Sequence, residues 1–109
     1  MTTRARREAL EAAGFRVGDV VDFLELDEHE RLYLEIRRSL GRLLRQMRKD
    51  TRTSQSSHGE QIGMEQSTVS RAEKADDRVS LGLIMSALIA SGASRDEIAG
   101  AIRGSDDLD

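Results

Sequence analysis

The strongest constraint on this chain lies between residues 54 and 73, where Gly63 separates two stretches each long enough for only a short helix. Ser54 is a good N-cap for a helix over 55–62, and Glu65-Gln66 open a second that reaches about Lys74. Gly63 supplies the positive φ of a three-residue turn without a Cβ penalty. Helices joined by so short a turn must cross, and the crossing demands a small residue midway along the first, which Gly59 provides. Ile62, Met64 and Val69 are spaced to flank that crossing. The second helix carries Gln66, Ser67, Thr68, Ser70 and Arg71, a set that can donate and accept hydrogen bonds.

The remainder reads as helix as well. With no Pro or Trp, one Tyr and two Phe, the chain is poor in strand-forming types and rich in Ala, Leu, Arg and Glu. Residues 4–13 suit a short helix ended by Gly14, and the apolar-rich stretch from Phe15 to Leu24 suits a further turn or two. Asp27 with Glu30 resembles a capping box and predicts a helix start there. Leu32, Ile36, Leu40, Leu43, Leu44 and Met47 then recur at helical spacing to about Lys49. That is one long helix, or two short ones broken near Ser39-Leu40-Gly41. Asp50 to Thr53 form a polar link and Ala75 to Val79 a loop. Ser80 caps a helix through Ala90 that Gly92 closes, and Ser94 with Glu97 opens a last helix to about Arg103. The expected architecture is all-α. An acidic helical extension (1–35) precedes a five-helix domain (36–103) and an acidic tail (104–109).

Charge is distributed unevenly along the 109 residues. The net charge is −3, but residues 1–35 balance at −4 and residues 36–103 at +4, with three Asp in the tail. A phosphate backbone responds to the local basic segment rather than to the total. No Cys is present, which excludes disulfides and thiolate metal sites. No apolar run approaches the roughly 20 residues that span a bilayer. The N-terminal arginines lack an apolar segment behind them, so a secretory signal is not expected. These features predict a cytoplasmic protein without membrane contact.

The segment Gln66-Ser-Thr-Val-Ser-Arg-Ala-Glu73 resembles the recognition helix of the XRE family, the Cro and phage-repressor group of helix-turn-helix proteins. The resemblance covers about residues 40–103. Leu43-Leu44-Arg45-Gln46-Met47-Arg48 resembles the family's first helix, and Ser80 to Ile84 and Gly92 to Ile98 its fourth and fifth. Family membership implies double-stranded DNA as partner and a regulatory role. At the matching positions Arg71 is suited to guanine O6 and N7, Gln66 to adenine N6 and N7, and Ser67, Thr68 and Ser70 to further base contacts. Ser54 and Gln55, at a helix N-terminus, together with Lys74 and Arg78, are the expected phosphate contacts. Arg48 and Glu73 stand where the family has an ion pair between first and recognition helices, and Gly59 and Gly63 are structural. The chain departs from the pattern at Thr53, His58, Gly59 and Ala72, and at Asp76 and Asp77 in a loop that is often basic in the family.

Two functions follow. One is a transcriptional repressor or autoregulator reading a pseudo-palindromic operator as a homodimer, through residues 15–36 or the last helix with Ile98 and Ile102. The other is a HigA-like antitoxin whose extension binds a toxin protein. No catalytic constellation is recognisable, so no enzyme activity and no cofactor are expected. His29 and His58 lack metal-site spacing and read as solvated or partly packed imidazoles. The run Arg37, Arg38, Arg42, Arg45, Arg48, Lys49 and Arg52 reads equally as a solvated helix surface or as non-specific phosphate attraction.

Overall fold

The computed structural model describes residues 17–104, with side chains from residue 27 onward. Five helices follow one another: α1 (Val17–Asp50), α2 (Gln55–Ile62), α3 (Gln66–Glu73), α4 (Leu81–Ala90) and α5 (Arg95–Gly104). No strand occurs among the described residues. The all-α fold expected from the sequence is the fold observed. The chain divides into one unit ending at Leu34 and a second beginning at Glu35. The expected helix over 4–13 and residues 105–109 of the tail lie outside the described residues.

The short helices begin where serine can satisfy a backbone donor. Ser54 Oγ accepts from the Ser57 amide at 3.0 Å, and Ser80 Oγ from the Leu83 amide at 3.0 Å. Before α5 the capping box is complete: Ser94 Oγ accepts from the Glu97 amide at 3.1 Å, and Glu97 Oε1 from the Ser94 amide at 2.9 Å. Helix ends are equally regular. Gly63 and Gly92 end α2 and α4 in the left-handed region, at φ 74° and 91°. Arg52 and Ala75 do the same work after α1 and α3, at φ 54° and 51°, although each carries a Cβ. The amides of Thr53 and Asp76 close these two turns on the Arg48 and Arg71 carbonyls, at 3.1 and 2.9 Å.

One expectation for α1 is corrected, and the choice left open between one long helix and two short ones falls to the long one. It neither starts at Asp27 nor breaks near Gly41, but runs for 34 residues from Val17 to Asp50. A cap residue starts a helix only where the preceding chain is not helical, and residues 19–26 contain neither Pro nor Gly to stop one. Gly41 has a packing role instead. A Cβ there would stand 2.7 Å from the Glu73 carbonyl oxygen and 2.8 Å from that of Ala72. The glycine therefore lets α1 pass against the C-terminal turn of α3.

The core gathers Leu40 and Leu44 of α1, Ala72 of α3, Val79 of the following loop, and Ile84, Ala87 and Leu88 of α4. Ile62, Met64, Ile98 and Ala101 pack around it, half-buried. Leu40 and Leu44 are fully enclosed, so truncating either to Ala should cost about 2–5 kcal/mol. A second correction concerns Arg37, which is not on a solvated surface. Its side chain is only 4% exposed and donates from Nη2 to the carbonyls of Val79 at 2.7 Å and Asp76 at 2.8 Å. One buried guanidinium thus fixes the loop that leaves α3, satisfying carbonyls that the turn would otherwise strand.

Candidate nucleic-acid interface

The back of α3 is set by burial. Val69, Ala72 and Glu73 are enclosed, which leaves Gln66, Ser67, Ser70, Arg71 and the capping Lys74 on the outward side at helical spacing. Gln66, Ser67 and Lys74 are exposed, and Thr68, Ser70 and Arg71 are half-buried. The five residues expected to read bases therefore lie on one short helix, with Thr68 at its flank. The Arg71 side chain makes no hydrogen bond among the described residues.

The crossing of α2 and α3 depends on Gly59. A Cβ at that position would collide with the Met64 carbonyl oxygen and press on Val69. Even alanine is therefore too large here, and the departure noted at this position is a requirement of this chain's packing. Gly63 then turns the backbone, and the Met64 amide donates to the Gly59 carbonyl at 2.8 Å.

Behind the outward face runs a polar relay. Arg48 of α1 grips Glu73 of α3 with two parallel bonds, Nε to Oε2 at 2.5 Å and Nη2 to Oε1 at 3.0 Å. Gln55 Nε2 donates to Glu73 Oε1 at 3.1 Å, and Gln66 Nε2 donates to Gln55 Oε1 at 2.7 Å. Burial pushes the Glu73 carboxyl up, but the hydrogen bonds from Arg48 and then Gln55 outweigh it and hold the group below its usual range. Glu73 is thus an anchored carboxylate, and the relay reaches from it to the outward Gln66 amide. The ion pair implied by the family resemblance is present.

The expected phosphate contacts are placed differently from one another. Ser54 caps α2 and is exposed; its hydroxyl oxygen accepts from Ser57 and keeps its proton to donate. Gln55 is turned into the relay, so at this helix N-terminus the backbone amides remain the direct anion donors. Lys74 is exposed at the end of α3. Arg78 is held by Asp76 of its own loop, Nε to Oδ1 and Nη2 to Oδ2 both at 2.9 Å, and those bonds keep the Asp76 carboxyl far below its usual range. Its charge is thus already matched, which makes it a poorer phosphate ligand than Lys74.

One basic residue was not assigned to the site by sequence. Arg45 is exposed and, with Arg48, Gln55, Glu73 and Lys74, lines a cleft of about 180 Å³ between α1, α2 and α3. The available signal was its three-residue spacing from Arg48, which puts both on one side of α1. His58, read as solvated or partly packed, is buried at 5% exposure with Nε2 2.8 Å from Ser91 Oγ. Among the described residues no group of His, Asp or Glu is arranged to hold a metal ion, and no helix is long and apolar enough to cross a membrane.

A family model described as a helix-turn-helix domain matches residues 39–101. No curated protein and no solved structure matches the chain.

Proposed function

Because this chain belongs to the helix-turn-helix domain family, a class of DNA-binding domains, we propose that it is a sequence-specific transcriptional regulator. It reads a pseudo-palindromic operator with α3, acting as a homodimeric repressor or autoregulator. The observation that carries the reading is the two-sided character of α3. Val69, Ala72 and Glu73 lock it into the domain, while Gln66, Ser67, Ser70 and Arg71 face outward.

The chemistry follows from donor and acceptor patterns in the major groove. Arg71 presents a guanidinium fork to guanine O6 and N7. Gln66 gives one amide hydrogen to Gln55 and keeps the other, with its carbonyl, for adenine N7 and N6. Ser67, Thr68 and Ser70 contact neighbouring bases. The Ser54 hydroxyl, the first amides of α2, Lys74 and Arg45 neutralise phosphates and fix the register. One short helix spans too few base pairs to specify a genomic site, so two copies with recognition helices about 34 Å apart are required.

A second reading is an antitoxin whose extension silences a toxin. It is favoured by Leu32 and Tyr33, large side chains exposed on α1 before the domain begins.

Selection of bound duplexes from a random pool tests the first reading. The expected result is a two-fold-symmetric sequence with half-sites about one helical turn, ~10 base pairs, apart. A pool that remains unenriched at moderate salt would overturn it.

A further inference from the structure

A groove of about 310 Å³ with mainly apolar walls runs between α1 and α5, lined by Arg42, Leu43 and Gln46 on one side and Gly100, Ala101 and Gly104 on the other. A Cβ built on Gly100 or Gly104 meets nothing within 4 Å, so open space lies above both glycines. We infer that this groove receives residues 17–34 of a second copy of the chain, in a reciprocal exchange of acidic helical arms. The inference rests on the homodimer proposed above and names the surface that forms it.

Charge selects this occupant. Within α1, residues 17–34 carry Asp19, Asp22, Glu25, Asp27, Glu28 and Glu30 against Arg31, a balance of −5. Residues 36–50 carry six basic side chains against Asp50, a balance of +5. Two acidic arms laid on each other would repel, whereas an antiparallel exchange sets each arm against the positive half of its partner's helix. Arg37 and Arg48 are already engaged inside the domain. Arg42, at the groove, is exposed, as are Arg38 on α1 and Arg103 on α5.

Shape agrees with charge. Val17, Val20, Val21 and Leu24 recur in the sequence at three- and four-residue spacing, as an apolar stripe needs to meet Leu43 and Ala101. Glycines at four-residue spacing on α5 let a helix approach closely, in the range of about 8–10 Å between axes. Leu32, Tyr33 and Ile102 are 57%, 44% and 40% exposed, more apolar surface than one copy covers. A reciprocal exchange repeats the same patch about a two-fold axis, the symmetry a pseudo-palindromic operator requires. Arg42, Leu43 and Gln46 line this groove while Arg45 and Arg48 line the cleft beside α3, so the exchange leaves the recognition helix open.

The test is light scattering across a concentration series with the full chain and three variants. Gly100→Phe fills the groove without a clash at Cβ. Arg38→Glu/Arg42→Glu reverses the exposed charge on α1 at and beside the groove, and Asp19→Arg/Asp22→Arg/Glu25→Arg reverses charge along the arm. Circular dichroism melts check that each variant is folded. The wild-type chain should be a dimer, and each variant should weaken dimerisation at least about ten-fold. Mixing the two charge-reversed proteins should restore dimers, because each arm then meets a groove of opposite sign. Folded variants that dimerise like wild type would overturn the arm exchange and leave the homodimer itself standing. So would a mixture that stays monomeric. A wild-type monomer at tens of micromolar would remove the homodimer reading.

Discussion

Gly41 of α1 lies directly against the last carbonyl of α3: a β-carbon there would stand 2.7 Å from the Glu73 carbonyl oxygen. The contact sets how closely α1 can approach α3. Two effects oppose each other at this position. Helix propensity favours alanine over glycine by about 1 kcal/mol. Forcing a methyl group against backbone carbonyls costs about 1–3 kcal/mol, and α3 cannot retreat without moving the buried Val69 and Ala72. Gly41→Ala should therefore lower stability by up to about 2 kcal/mol, the net of the two terms. Urea denaturation checks it, and a stabilised Gly41→Ala variant would show that the approach of the two helices is looser than described.

The Arg48–Glu73 pair is the second tie between α1 and α3. Arg48→Met should cost about 3 kcal/mol, because it strands a buried carboxylate. Arg48→Met/Glu73→Gln should recover much of that loss, since the stranded charge is gone. A double-mutant cycle gives the answer. If the double variant is less stable than Arg48→Met, the pair is not acting as a compensated buried charge.

His58 predicts a pH dependence. Ser91 Oγ donates to the Ala87 carbonyl at 2.7 Å, so it accepts from His58 Nε2. That leaves His58 Nδ1 buried with no partner, and a proton placed on it would have no acceptor. Burial lowers the imidazole pKa; Glu73 of α3 raises it and Arg48 of α1 lowers it, with a net downward shift. As pH falls, an unfolded histidine takes up its proton at about pH 6.5, before the folded one does. The neutral imidazole's contribution to stability is therefore complete above about pH 6.5 and is lost as pH falls toward the lowered native value. Melting temperature should fall more steeply for wild type than for His58→Gln, which keeps a donor for Ser91 but does not titrate. Parallel curves would contradict the neutral, partnerless Nδ1.

Arg52 is exposed and holds φ 54° at the end of α1, a conformation that costs a residue with a Cβ about 1 kcal/mol. Arg52→Gly should stabilise the domain by up to about that amount. Ala75, at φ 51° after α3, should gain less from the same change, because its methyl group packs against the core. Thermal melts of both variants check the order, and a destabilised Arg52→Gly would contradict the turn assigned there.

The short-range grammar was legible because it is local. Ser54, Ser80 and Ser94 cap helices, and Gly63 and Gly92 turn them, through contacts within a few residues that sequence spacing reports directly. The Arg48–Glu73 pair was legible through the family resemblance, which carries long-range information that spacing does not. What stayed hidden depends on which elements meet. Gly41 looks like a helix breaker until α3 is placed against it. Arg37 looks like any surface arginine until the carbonyls of Asp76 and Val79 are brought to its guanidinium. The helix ends near Asp50 and Glu73 were expected, but the positive φ at Arg52 and Ala75 was not, because the usual signal, glycine, is absent at both.

The claim on which the function rests is that α3 reads bases, and Arg71 and Lys74 test it as a pair. The measurement is equilibrium binding of wild type, Arg71→Ala and Lys74→Ala to the selected operator and to every single-base-pair variant of it, at fixed salt. Arg71→Ala should lose about 1–3 kcal/mol on the operator and relax the preference at one base pair per half-site. Lys74→Ala should weaken all sequences alike and reduce the salt slope by about one per half-site. Identical behaviour of the two variants, with every base-pair preference intact, would contradict base reading by this helix.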